Sequence, residues 1–205
     1  MTGAGRVEVT GGFLLLVAWL NYLDRSLLVP LALIACGIHE LGHIFVIRLM
    51  GGAIKGIRIT AIGAELILDR PLGYWQEGVS ALAGPGMNLL LTMICCNFEK
   101  GLVFSGLNLA LAVFNLLPVG RLAGGRALHC TMALLAGPGA ADWLGSRLDW
   151  LCTVGALAAG LFLAGVKGNF TLLLVAFWLL ALSFRQNFCW FQQNKPCQRG
   201  RKKVQ

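Results

Sequence analysis

Charge is what this sequence has least of. Of its 205 residues only 13% are Asp, Glu, Lys or Arg, about half the roughly 25% of an ordinary soluble domain. Hydrophobic residues reach 57%, above the roughly 45–50% that such domains carry. A soluble globule, a disordered tail and a fibrous repeat are excluded, because none of them solvates so apolar a chain. Repeated Cys-x-x-Cys spacing is also absent: Cys36, Cys95, Cys96, Cys130, Cys152, Cys189 and Cys197 lie mostly inside apolar runs. That pattern excludes both a disulfide framework and a zinc-thiolate cluster. No internal repeat or low-complexity tract is present, which leaves an inverted-repeat transporter without support.

What the chain does have is long apolar runs. Six can be marked, at 12–23, 26–50, 78–98, 102–117, 150–166 and 170–184, and a membrane-spanning helix needs about 20 mostly apolar residues. The expectation is an all-α polytopic membrane protein of about six transmembrane helices. One membrane domain occupies 1–185 and a basic tail 186–205. The first run is short and follows Arg6 as a signal peptide would, but no small-x-small cleavage site precedes Asp24-Arg25, so its retention is expected. Gly51-Gly52 ends the second helix, and 54–69 then alternates branched apolar with polar residues around Gly63, which predicts a β-hairpin. Residues 119–149 are less apolar and predict short interfacial helices, two of them parted by Gly137-Pro138-Gly139. Trp75, Trp143, Trp150, Trp178 and Trp190 read as interfacial anchors and packing residues.

The net charge of +8 does not point to nucleic acid. Six of the seventeen basic residues fall in the last 21 positions, beside an apolar run, where they face anionic lipid. With the N-terminus inside, fourteen basic residues lie on the cytosolic side and only Arg25, Lys100 and Lys167 outside. Positive charge is retained on the cytosolic side. A multi-pass protein with both termini in the cytosol follows.

The second apolar run contains His39-Glu40-Leu41-Gly42-His43. On a helix, positions i and i+4 share a face, so both imidazoles can meet one ion, and Glu40 beside them is placed to take a proton from water. A chain with three histidines and five glutamates contains His-Glu-x-x-His by chance on the order of once in a thousand sequences. Ionisable groups within a transmembrane helix are costly and mark function. Two of the three histidines and one of the nine acids sit within these five positions. The competing reading is a polar contact between helices, with the glutamate paired to a histidine.

The fourth run ends in Asn115-Leu116-Leu117-Pro118-Val119-Gly120-Arg121-Leu122-Ala123-Gly124-Gly125. In the topology above, the second and fourth spans run in the same direction, so His39–His43 and 115–123 reach the same cytosolic half of the bilayer. The two motifs, with Ala83-Gly84-Pro85-Gly86-Met87-Asn88 between them, resemble the site-2 protease family of intramembrane zinc metalloproteases. The nearest branch is the bacterial sporulation type, stage IV sporulation protein FB-like, with one span before and two after a three-helix core at about 26–125. The resemblance implies a bacterial cell-membrane protease that cleaves a membrane-associated protein near the cytosolic face, with a membrane-tethered sigma-factor precursor as the substrate of that branch. It implies Zn2+ held by His39 and His43, Glu40 as general base, and Asn88, Asn115 and Pro118 around the substrate. Hydrogen bonding across helices is the alternative for both asparagines. That branch also commonly carries a cytosolic nucleotide-sensing CBS domain after the last span, which this chain is expected to lack.

The family's third motif is Asn-x-x-Pro-x-x-x-x-Asp-Gly, with the aspartate as third zinc ligand; here its place is taken by Ala123. Alanine cannot coordinate metal, and a catalytic zinc takes three protein ligands and a water. The expectation is a protease inactive as written. Either an aspartate was changed to inactivate an enzyme, which the intact remaining motif positions favour, or a natural copy has lost catalysis. The second functional reading is a non-catalytic membrane protein of the same fold that captures substrates or partners. A hairpin edge at 54–69 offers an extended substrate somewhere to pair. The topology is tested by labelling Cys197 in intact cells with an impermeant thiol reagent: no labelling is expected until the membrane is opened, and ready labelling overturns the orientation.

Overall fold

The computed structural model describes residues 6–60, 63–120 and 122–167. The run at 170–184, the tail 186–205 and Arg121 lie outside the described residues, as do Trp178, Trp190, Cys189 and Cys197. The order of elements is β1 (Arg6–Val9), α1 (Gly11–Leu23), α2 (Leu28–Leu49), β2 (Ile54–Thr60), β3 (Gly63–Leu68), α3 (Tyr74–Cys95), a 3-10 turn at Glu99–Gly101, α4 (Leu102–Asn115), α5 (Ala123–Ala136) and α6 (Pro138–Lys167). The chain divides into two compact units, Met1–Ser146 and Arg147–Gln205, with the boundary inside α6.

Three described helices are long and apolar enough to cross a membrane: α2, α3 and α6 over Pro138–Val166. At 22 residues each, α2 and α3 extend about 33 Å, the thickness of a bilayer core. Each end of α2 has a local cause. At its start the Asp24 carboxylate accepts the backbone N–H groups of Val29 at 2.8 Å and Ser26 at 2.9 Å, and these two bonds hold its carboxyl below the ordinary carboxylate range. At its end Gly51 takes φ +78°, Gly52 N–H donates to the Ile47 carbonyl at 2.8 Å and Gly51 N–H to that of Arg48 at 3.1 Å. These paired bonds past the C-cap form a Schellman stop, as Gly51-Gly52 leads one to expect.

The predicted hairpin is present as β2 and β3, paired antiparallel with Ile57 opposite Leu66 and Thr60 opposite Gly63. A third strand, not anticipated, joins it: β1 pairs parallel to β2, from Arg6 opposite Gly56 to Val9 opposite Ile59. Gly56 makes room for it, since a Cβ there would come within 2.9 Å of the Arg6 carbonyl oxygen. Glu8 accepts two hydrogen bonds from Arg58 across the same pair. β2 is therefore the central strand, and among the described residues β1 and β3 are the two edge strands, β3 the longer.

The interior is made of small and polar side chains. Ala35, Ala81, Ala112, Ala127 and Ala133 are buried together with Ser80, Asn88, Ser105 and Asn108, while Leu15, Leu90, Met93 and Phe162 are exposed. That inversion suits a lipid surround, in which close backbone approach and buried hydrogen bonds hold helices together. α2 and α3 meet at Gly42, where a Cβ would come within 2.9 Å of the Ala83 carbonyl oxygen. α3 and α4 exchange hydroxyl bonds, with Ser105 Oγ donating to the Thr92 carbonyl at 3.1 Å and Thr92 Oγ1 to that of Ser105 at 3.4 Å.

The expected division of 119–149 into short helices, followed by a span from 150, is corrected. α5 does end at Gly137, which has φ +88°, but α6 then runs unbroken from Pro138 to Lys167. Its polar stretch holds Trp143, Arg147 and Asp149, yet contains no helix breaker after Gly139 except the unobstructed Gly145. Polarity alone does not interrupt a helix whose backbone bonds are all internal.

The turn between α4 and α5 is closed by two glycines. A Cβ on Gly124 would overlap the Leu116 carbonyl oxygen, and one on Gly125 that of Val119. Gly124→Ala should therefore lower the stability of the purified protein by about 1–3 kcal/mol through overpacking against backbone. Gly106→Ala, on α4 with open space around it, should not. Thermal melts of both variants in one detergent make the comparison.

Candidate active site

One turn apart on the buried face of α2, His39 and His43 turn their rings edge to face, with centroids 4.8 Å apart and planes at 82°. Their Nε2 atoms approach to 3.2 Å. Both residues are buried, on a helix whose buried positions also include Ala35, Gly42 and Ile47. The i, i+4 spacing thus brings together the two residues the sequence pairs.

Each ring is braced on its far side by α3. His43 Nδ1 lies 2.7 Å from the Ser80 carbonyl oxygen, and since a carbonyl only accepts, this nitrogen carries the proton. His39 Nδ1 lies 3.1 Å from Asn88 Oδ1, and donates to it in the same way. In a neutral imidazole with Nδ1 protonated, Nε2 holds a lone pair. Both Nε2 atoms come close to Gly84, where a Cβ would be 2.8 Å from His39 Nε2 and closer still to His43 Nε2. Gly84 is where α3 leaves room for the imidazole tips, with Pro85 buried beside it inside the helix.

Glu40 is half-buried beside this pair. From α5, the Arg126 guanidinium is within electrostatic reach of Glu40 and His43, and its Nε lies 3.6 Å from Glu77 Oε1 at the start of α3. The first turn of α5 therefore borders the site, and Ala123, buried, is three residues before Arg126 in that turn. Asn88 is fully buried, with Oδ1 against His39 Nδ1, the cross-helix hydrogen bond that stood as its alternative role. Asn115 ends α4 half-buried with Nδ2 donating to the Leu111 carbonyl at 2.9 Å, and Pro118 follows half-buried in the turn. The Ser80 carbonyl and Arg126 are partners that the sequence did not single out. The first is backbone and carries no residue signal, whereas the second follows the third motif directly. A cavity of about 430 Å3 lies apart from the histidines, lined by Met50, Gly52, Arg70, Leu72 and Gln76 among others.

Two neutral imidazoles with converging lone pairs fit two corners of a zinc site: with Zn–N of about 2.0–2.1 Å, tetrahedral ligands stand roughly 3.3 Å apart, close to the 3.2 Å seen here. The donor set stops there. Among the described residues no group of three His, Cys, Asp or Glu comes together, and Ala123 in the bordering turn of α5 carries only a methyl group.

No protein-family model matches the chain. A protein of Synechocystis sp., provisionally named a zinc metalloprotease, is 30% identical over 191 residues, covering 84% of this chain and 48% of the relative. The chain thus spans about half the length of the curated relative it matches. Among solved structures, the Site-2 Protease from Methanocaldococcus jannaschii superposes with a TM-score of 0.64 at 24% identity, over 87% of this chain and 89% of that one. The fold is that of a site-2 protease. The sequence likeness is to a zinc metalloprotease, and the apolar helices are those of a membrane protein.

Gly84 tests the geometry of the histidine pair. With Ala123→Asp supplying a third donor, a further Gly84→Ala should weaken cobalt(II) binding at least about tenfold, the scale on which displaced ligands lose metal. Gly86→Ala, exposed and unobstructed, should leave the titration unchanged.

Proposed function

We propose that the chain belongs to the site-2 family of intramembrane zinc metalloproteases, that it acts on a membrane-associated protein near the cytosolic face, and that Ala123 leaves it with little or no activity as written. The observation that carries this reading is the convergence of two Nδ1-protonated imidazoles on α2, each braced by α3. His39 and His43 supply two ligands for Zn2+. A zinc ion bound in such a site supplies Lewis-acid polarisation of water and of a peptide carbonyl. Glu40, next to His39 and half-buried, takes the proton from the attacking water and later passes it to the leaving amine. The cytosolic placement rests on the fourteen-to-three distribution of basic residues.

A helical substrate has its carbonyls bonded, so the segment to be cut enters extended. With β2 central, the longer of the two edge strands is β3, Gly63–Leu68, and such a segment adds there by backbone pairing. Ala123 also favours a second reading, a non-catalytic protein of the same fold that captures membrane proteins without cutting them.

One set of variants separates the two. Ala123→Asp should give stoichiometric zinc by elemental analysis and cleavage of a co-expressed membrane substrate. Adding Glu40→Gln should lower cleavage by about 10²–10⁴-fold, the usual contribution of a general base, and leave zinc in place. Zinc binding without cleavage across a broad set of membrane substrates supports the capture reading. Cleavage by the unchanged chain that survives Glu40→Gln overturns the zinc mechanism.

A further inference from the structure

Two buried polar atoms among the described residues lack a hydrogen-bond partner, and they are complementary: Asn88 Nδ2, a donor, and Asn108 Oδ1, an acceptor. Both residues are fully buried. Their helices, α3 and α4, are in register through the reciprocal bonds of Thr92 and Ser105. Asn88 is one turn before Thr92 and Asn108 is three residues after Ser105, so on antiparallel neighbours the two amides fall on the same level. Buried polar groups are paired in folded proteins, directly or across one water.

The orientation of the Asn108 amide follows from a group whose role cannot change. Asn108 Nδ2 donates to the Phe104 carbonyl at 2.8 Å; the carbonyl only accepts, so the amide nitrogen must face it, and Oδ1 is left as the unpaired acceptor at the level of Asn88. An acceptor presented there holds Asn88 with Nδ2 toward α4 and Oδ1 toward His39 Nδ1. With Oδ1 in that place, the His39 proton stays on Nδ1 and the lone pair on Nε2.

Taking His39 as a ligand from the function proposed above, we infer that Asn108 is a positioning residue for the metal centre: through Asn88 it fixes the His39 tautomer. The alternative it prevents is specific to this site. Were Asn88 turned over, its Nδ2 would donate to His39 Nδ1, and the proton would move to His39 Nε2, which lies 3.2 Å from His43 Nε2 and would donate to it. The pair would then satisfy itself and offer only poor coordination. His43 has no such freedom, because its Nδ1 faces a backbone carbonyl.

Nuclear magnetic resonance of the metal-free protein, labelled with ring-15N histidine, reads this without reference to activity, since the chain contains only three histidines. In the unchanged chain His39 should show a protonated Nδ1 and an unprotonated Nε2. Asn108→Leu, which keeps the four-atom branched outline and removes the acceptor, should shift His39 substantially toward the Nε2-protonated form and leave His43 as it was. Asn108→Asp, which keeps an acceptor toward α3, should retain the original tautomer. In an Asn88→Ala background, Asn108→Leu should add nothing. With Ala123→Asp present, Asn108→Leu should also weaken cobalt(II) binding about tenfold. An unchanged His39 spectrum in Asn108→Leu overturns the inference, as do equal shifts in both histidines, which would mark general loosening. Should Asn108→Leu fail to fold, Asn108→Asp alone decides, because loss of the original tautomer in that variant is the opposite of what is expected. Absence of zinc and cleavage in Ala123→Asp would count against the protease reading and leave the tautomer result standing.

Discussion

Two imidazoles buried on one turn of an apolar helix require something behind each ring. Left without partners, polar nitrogens inside a bilayer-facing helix are costly, and left without orientation they have no reason to aim their lone pairs at a common point. The bonds from His43 to the Ser80 carbonyl and from His39 to Asn88 meet both requirements at once. Much of the surrounding architecture serves them. α3 must come close enough for its backbone to act as an acceptor, which needs Gly42 on one helix and Gly84 on the other, and α4 must support α3 with polar groups of its own.

That closeness explains why the interior is built of alanine, glycine, serine and asparagine while leucines and aromatics face outward. In lipid, large apolar side chains gain little by being inside, and helices associate through van der Waals contact and hydrogen bonds across short distances. The turn between α4 and α5 obeys the same constraint. Gly124 and Gly125 let the chain fold back against the carbonyls of Leu116 and Val119, which brings the first turn of α5, with Ala123 and Arg126, to the border of the histidine pair.

The sequence carried the parts governed by local rules. The i, i+4 spacing of His39 and His43, the Gly51-Gly52 stop and the alternation over 54–69 each depend on neighbours along the chain, and each has its counterpart in the structure. Parts governed by distant contacts were not visible. β1 is four residues long and exposed throughout, so its alternation of Arg6-Val7-Glu8-Val9 is too short to mark a strand; it exists because β2 offers it an edge. The unbroken course of α6 was hidden by polar residues that suggested an interface. For Asn88 the motif left a substrate contact and a bond across helices both open, and the bond to His39 depends on the packing of α3 on α2.

The Schellman stop at Gly51 also fixes a depth. His43 is eight residues before that glycine, so at 1.5 Å per residue it lies about 12 Å along the helix axis from the point where α2 stops. In a protease of the kind proposed, a site set that far inside the helix is reached only by a segment that has already given up its own helical bonds, so the ease with which a substrate unwinds would weigh in its selection beside the identity of its side chains.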